Sequence, residues 1–472
     1  MAADARTMMV VPGQARAGSL GLWLLVGMIL IRFFPLPVLP GVNLAPENFL
    51  FLAAVLFYGR RLSRLAFVSG RLSAVVLLLV LFGLLDVAHD FLRGGIVGNP
   101  GQHLRSAIYI LILADVCSYP ASRRQIVRLL VVVGVVQVIF GSLVYFVGQP
   151  FTAIRDWMLH SSNTGELLIG KGSQIASLYG APHIFSYLLA SFPFLAVGLY
   201  LREKKLIWLV ALVVLVLGLF LNAERSSAAV FFVGVLYLVM KTPQRARNLT
   251  LLAVLVLAFV GMQQLIGSRA PSTGPGAVAG MAYSHGTLAD RFGGTSVDEV
   301  VTRIMYQVHG ITSVLKHPAI GPTEREYARE VIGDGGALFS DALAAEVLAP
   351  HNHYINAGVR AGVPGWLVLL ACLWALWKAQ RTLKAAVLRT HPDLRIPYLC
   401  FSVGLLAVMG NAVFHNAGIF TPELATSTMV GLMLALWRQV QREPVLRRTV
   451  ADEGEAADDE GVGPGAGRPR RA

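Results

Sequence analysis

The chain has 472 residues, 55% of them hydrophobic and 14% charged, with a formal net charge of +13. At a mean hydropathy of +0.62 it has too little polar surface to cover a water-soluble core, and it reads as an integral membrane protein. Its Lys and Arg fall in short clusters between apolar runs, which is a pattern of membrane topology rather than a nucleic-acid-binding face, so no nucleic acid is expected as a partner. Cys117, Cys372 and Cys400 sit in or beside apolar segments without metal-like spacing, so neither a disulfide framework nor a zinc site is indicated.

A bilayer core takes about 20 apolar helical residues to cross. Arg6 and Arg16 precede an apolar run over 20–31 in the manner of a secretory signal. Arg32, Pro35, Pro37 and Pro40 follow where a small-residue cleavage site would stand, so this run is expected to be a retained first span near 20–39. Further spans are expected near 44–59, 72–92, 103–119, 125–148, 181–201, 206–222, 226–240, 248–267, 354–377, 396–416 and 421–437, about twelve in all. Alternate connections collect the positive charge: Arg60, Arg61, Arg64 and Arg71, then Arg123, Arg124 and Arg128, then Arg202, Lys204 and Lys205, then Lys241, Arg245 and Arg247. The pattern continues with Lys378 to Arg395 and with Arg438 to Arg448. Such alternation predicts an even number of spans with both termini cytoplasmic. The expected organisation is a cytoplasmic N-terminus (1–18), nine spans (19–267) with an outward loop near 149–180, a large outward loop (268–350), three spans (351–437) and a cytoplasmic tail (438–472). The fold class is all-α, a polytopic transmembrane helix bundle with one large, partly helical outward loop.

That loop, 268–350, is far longer than an ordinary connection. Its first part, 268–295, is rich in Gly, Ser, Thr and Pro and is expected to be mobile. Ser296 and Glu299 then form a capping box ahead of Val297, Val300, Val301, Ile304, Val308, Ile311 and Leu315, so an amphipathic helix is predicted to run to about His317, where Pro318 ends it. A second short helix is predicted over 337–348, stopped by Pro350. Beyond Glu443 an acidic run and a Gly-Pro-rich end have little to bury and read as a disordered tail.

The stretch Pro350-His351-Asn352-His353-Tyr354 puts a histidine and an amide at a helix start beside this loop. A helix N-terminus favours an anion and disfavours a protonated imidazole, so His351 is a candidate acceptor of a hydroxyl proton. It also has an ordinary reading, as an interfacial histidine that caps the helix together with Asn352. His353 points elsewhere on a helix, and the pair makes a weak metal motif. Arg303, on the loop helix away from its apolar stripe, either pairs with Glu299 or faces a ligand. Arg225 opens a span in an outward turn where cations are scarce; it either snorkels or binds an anion. Asp86, His89, Asp90, Asp115 and His415 are further ionisable groups at membrane depth, and His415 is expected on the same membrane face as His351. Gly358 and Gly362 are read as helix-packing positions. No phosphate-cradling glycine loop is found, and no cofactor is expected.

Taken together, these features resemble the O-antigen ligase and O-antigen polymerase superfamily of bacterial envelope proteins. The likeness rests on His351-Asn352-His353-Tyr354-Ile355 with Gly362-Val363-Pro364-Gly365, on Arg303 followed by His317-Pro318-Ala319-Ile320-Gly321, and on Glu224-Arg225-Ser226-Ser227. The chain departs from the family pattern at Pro322, at Arg360, and in lacking a tryptophan after Arg303. The resemblance implies a metal-independent glycan transfer at the periplasmic face of the bacterial inner membrane, from a polyprenyl-pyrophosphate-linked donor to an acceptor such as lipid A core, another lipid-linked glycan or a protein side chain. It implies Arg225 and Arg303 on the pyrophosphate, His351 on the acceptor hydroxyl, and Asn352, Tyr354 and His415 in support, with membrane lipids around the bundle. Ligase is the first expectation and repeat-unit polymerase the second. A lipid-linked glycan transporter would instead show matching halves and charges deep in broken spans.

Overall fold

The computed structural model describes residues 12–35, 46–68, 70–93, 101–160, 175, 177–179, 182–222, 224–241, 297–323, 326–327, 329–330, 350–416, 418–420 and 423–459. Thirteen α-helices and no β-strand occur among them. In chain order they are α1 (Pro12–Phe33), α2 (Pro46–Val68), α3 (Arg71–Arg93), α4 (Gly101–Val116), α5 (Pro120–Phe146), α6 (Phe151–His160) and α7 (Pro182–Glu203). They continue with α8 (Leu206–Asn222), α9 (Arg225–Met240), α10 (Val297–Lys316), α11 (His353–Arg389), α12 (Arg395–Asn411) and α13 (Leu424–Asp459).

Among the described residues, five helical segments are long and apolar enough to cross a membrane: Arg71–Leu92, Pro120–Phe146, His183–Glu203, His353–Arg389 and Pro392–Asn411. Leu20–Phe33, Leu206–Asn222 and Arg225–Met240 are shorter apolar helices. The expected span 248–267, the loop segment 268–295 and the expected helix 337–348 lie outside the described residues. Large apolar side chains on the outer helices point away from the bundle, with Phe91 78%, Trp23 72% and Phe57 71% exposed. In water such a surface would drive aggregation; in hydrocarbon it is the matched solvent.

The centre is made by α4, α7, α12 and α13. From 423 to 437 every described residue of the α13 start is buried, as a helix apolar on all sides requires. Glycines set its closest approaches: a Cβ on Gly404 of α12 would lie 2.8 Å from the Met429 sulfur, so the methionine would have to shift. After Trp437 the helix continues through Asp459, so residues 438–459 are helical rather than the disordered tail expected; Arg, Gln, Glu and Ala on either side of Pro444 are strong helix formers.

Buried polar bonds between helices gather at two levels, one at each end of the bundle. Asp115, 1% exposed, closes one end of α4. It accepts from Arg61 at 2.6 Å, Arg442 at 2.7 Å, Arg438 at 3.1 Å and the Tyr58 hydroxyl at 2.5 Å. This single carboxylate therefore ties α2, α4 and α13 together. His103, twelve residues earlier and so roughly 18 Å up the same helix, belongs to the other level, where it lies 3.5 Å from Asp86. Removing Asp115 would leave three mostly buried guanidiniums facing one another. Asp115→Ala is expected to lower stability by about 3 kcal/mol, read as an earlier thermal unfolding in detergent.

Candidate functional site

At the end of the bundle that holds Asp86, α11 is two helices joined at a corner. Ala361 (φ −141°, ψ 16°) and Gly362 (φ 64°, ψ −157°) leave the helical region, and Pro364 has no N–H to offer the Arg360 carbonyl. The chain turns so sharply that a Cβ on Gly365 would overlap the Ala357 carbonyl oxygen. Trp366 spans the corner over Gly358, its Nε1 donating to the Tyr354 carbonyl at 3.0 Å. The uninterrupted span expected over 354–377 is therefore corrected: residues 353–360 form a short helix ahead of the break, and the long helix begins at Val363.

The turn 317–321 fits into the opened backbone. The Val363 N–H donates to the Pro318 carbonyl at 2.8 Å, and the Gly321 N–H closes the turn on the His317 carbonyl at 2.9 Å. A Cβ on Gly362 would stand 2.6 Å from the Pro318 oxygen, and one on Gly321 would overlap the Val359 carbonyl. Both glycines also have positive φ, 64° and 84°, so each is required for conformation and for contact. Neighbouring bonds hold the joint. Arg360 grips Asp86 with two guanidinium nitrogens, Nε at 2.8 Å, and His89 Nε2 lies 2.8 Å from the Pro322 carbonyl and Nδ1 3.2 Å from Asp90. Asp86, His89 and Arg360 thus fasten α3 to the loop and to the short helix.

The three residues after His351 are structural. Asn352 caps the short helix, its Oδ1 accepting from Tyr354 N at 3.0 Å and Ile355 N at 3.3 Å. His353 is 2% exposed; its Nε2 accepts from the Phe420 N–H at 3.3 Å, so Nδ1 carries the proton and donates to the Asn416 carbonyl at 3.2 Å. The Tyr354 hydroxyl donates to the Met409 carbonyl at 2.7 Å, which makes it a brace against α12. His351 is different. It is half-buried with φ +47°, in the left-handed region where histidine is several-fold enriched among the few residues found there, between two buried neighbours, Pro350 and Asn352.

Arg225 is the first residue of α9, and the two serines after it are anchored. Ser226 Oγ donates to Asn411 Oδ1 at 2.8 Å and Ser227 Oγ at 3.1 Å, while Asn411 Nδ2 donates to Ser186 at 3.0 Å. With the Ser226 proton committed, His415 Nε2, 2.9 Å away, is the donor to Ser226. His415 lies past the end of α12, its ring stacked on His183 with centroids 5.8 Å apart. The ring is buried, and the charges of His183, Arg303 and His351 act on it. The fields of Arg303 and His351 therefore reach a group that touches the residue next to Arg225.

The position of Arg303 on α10 agrees. Arg303, Gln307, Gly310 and Val314 share one helical face, and Gly310 rests on Pro350 and Ile355, where a Cβ would lie 2.9 and 2.8 Å from their side chains. Arg303 follows the same face two turns away, roughly 10 Å along the axis. The apolar stripe Ile304, Val308, Ile311 and Leu315 is exposed instead, because Gly310 and Ser313 permit a closer approach to α11 than the bulky side chains do. The side chains of Ser296 and Glu299, expected to cap the helix and pair with Arg303, lie outside the described residues. Sequence reasoning missed Asn411, Ser186 and His183; an asparagine at the end of an apolar span was the available signal. Neither protein-family models nor curated proteins give a match to the chain.

Gly321→Ala and Gly362→Ala are each expected to cost about 1–3 kcal/mol and to speed amide exchange over 317–323. Exchange unchanged in both variants would contradict the backbone joint. Asn352→Ala is expected to cost about 1 kcal/mol through the lost cap, measured by thermal unfolding.

Proposed function

We propose that the protein is a bacterial inner-membrane glycan transferase, with about twelve spans and both termini cytoplasmic. On this reading it moves a glycan from a polyprenyl-pyrophosphate carrier to an acceptor hydroxyl at the periplasmic face. What supports the reading is that His415, on which the charges of Arg303 and His351 act, bonds to Ser226 at the α9 start that bears Arg225. The sidedness of the polar bonds supports the topology, since helix ends expected on one membrane face bond to one another at each level.

The chemistry needs a place for a departing pyrophosphate and a place for a proton. The acceptor hydroxyl oxygen attacks the anomeric carbon of the donor sugar; the new glycosidic bond forms as the bond from that carbon to the pyrophosphate oxygen breaks, and the electron pair leaves with the polyprenyl pyrophosphate. Arg225 and Arg303 stabilise that charge, each charge-assisted hydrogen bond contributing about 1.5–3 kcal/mol. The start of α9 supports this role for Arg225, since the helix dipole adds its positive end to the guanidinium. His351 takes the hydroxyl proton. Asn352, His353 and Tyr354 hold His351 in place through the cap and the two bonds to the α12 end of the bundle, and His415 keeps the α9 start in register.

The test is deletion of the gene followed by complementation, with surface glycans resolved on a gel. His351→Ala is expected to lower transfer by about 100-fold or more in normally expressed protein, and Arg225→Ala and Arg303→Ala likewise to abolish the product. Loss of glycan from lipid A core with lipid-linked polymer retained identifies the ligase reaction, and collapse of a ladder to single repeats identifies the polymerase. Unaltered glycans in stably expressed variants would remove the enzyme reading. His353→Ala is expected to act differently, reducing the amount of folded protein, as blotting of the membrane fraction will show.

A further inference from the structure

We infer that the apolar stripe of α10 is a lipid-contact surface: the helix lies along the outward side of the bilayer, with Ile304, Met305, Val308, Ile311 and Leu315 in the boundary between headgroups and acyl chains. This rests on the membrane placement proposed above and is independent of the transfer reaction. The five side chains are between 41% and 65% exposed. Around the helix they lie on the side away from Gly310, Ser313 and Val314, which are buried. The run from Ile304 to Leu315 contains no Lys, Arg, Asp or Glu, so no fixed charge opposes its entry into lipid.

The polarity of α10 is the reverse of a helix bathed in water, which turns its apolar stripe to the protein and its polar side to the solvent. Here Arg303, Gln307 and Ser313 share the protein side, and the large aliphatic residues take the outside. The same inversion marks α3, where Ser73 and Asp86 are buried while Leu77, Leu81 and Leu84 are exposed, as contact with hydrocarbon requires. The two surfaces adjoin. α10 packs chiefly on α11, and the turn that follows it is bonded to α3 through His89 and to the α11 corner through Val363. Near those bonds Phe91 and Leu92 of α3 and Leu367 and Leu370 of α11 are each at least 60% exposed. The stripe is thus continuous with the lipid-facing edge of the bundle, and a second protein seated on it would have to displace lipid from α3 and α11 as well. Held there, α10 walls the candidate site on its membrane side and keeps Arg303 at the depth of lipid phosphates.

The test uses the full-length protein in vesicles of phosphatidylethanolamine and phosphatidylglycerol. A nitroxide spin label is attached to Val308→Cys and, as the bilayer reference, to Phe91→Cys; the native Cys117, Cys372 and Cys400 are buried. At both positions the label is expected to collide more often with oxygen, which concentrates in lipid, than with a water-soluble nickel chelate. More frequent collision with the chelate at 308 would put the stripe in water, and a label shielded from both would put it under protein, from this chain or a second copy; either overturns the assignment. Preference for the chelate at 91 would instead remove the membrane placement on which it rests. An apolar photoreactive diazirine dissolved in the lipid needs no variant. Trypsin then releases peptide 304–316 by cleavage after Arg303 and Lys316, and this peptide is expected to carry label. Its staying unlabelled while the peptide that holds Phe91 is labelled would equally overturn the assignment.

Discussion

Backbone packed on backbone, where turn 317–321 enters the break at 361–362, is the contact on which the rest of this end of the molecule depends. No side chain intervenes, because Gly321 and Gly362 leave no room for one. Such a joint has almost no freedom: a shift of a few tenths of an ångström overlaps carbonyl oxygens. It fixes α10, and with it Arg303, relative to the short helix that begins just after His351. Asp86 then locks the short helix to α3 through Arg360, and His353 locks it to the connection after α12. A loop outside the bundle is thereby registered against three helices of its core.

The buried charges divide by task. Asp86 is held by Arg360 and His103, and Asp115 by three arginines, all of them from other helices, so both cross-link helix ends where a lone carboxylate would be intolerable. The histidines divide in the same way. His353 and His415 have buried rings with defined donors and acceptors, and they position their neighbours. His351 combines partial exposure with a left-handed backbone, a geometry held by Pro350 and Asn352 on either side.

Much of this was legible in the residues. Hydropathy placed most of the described helix starts within a few residues, since an apolar run has no other stable form in a membrane, but it missed ends where polar residues carry the helix on, as at Val68, Arg389 and Asp459. Pro318 ended α10 where it should, and Asn352 caps as its type predicts. The glycines at 358 and 362 were read as packing positions, which they are, though for a corner and not for a straight helix pair. The break at 361–362 was not legible, because the run around Pro364 stays apolar throughout and hydropathy does not register a change of direction. The partner of Arg360 was equally hidden: Asp86 lies 274 positions away, and nothing in either local sequence names the other.

Local sequence was enough for the class of molecule, most of its apolar helices and the level of each polar group along its helix. Those properties depend on composition and on neighbours within a turn or two. Which polar groups meet depends on how the helices pack. Asn411 joins Ser226, Ser227 and Ser186, and Arg303 shares a face with Gly310 because that glycine, rather than the apolar stripe, seats α10 on α11. The physical reason is that pairing across a bundle is set by helix rotation and close approach, which depend on the shapes of all the packed side chains at once.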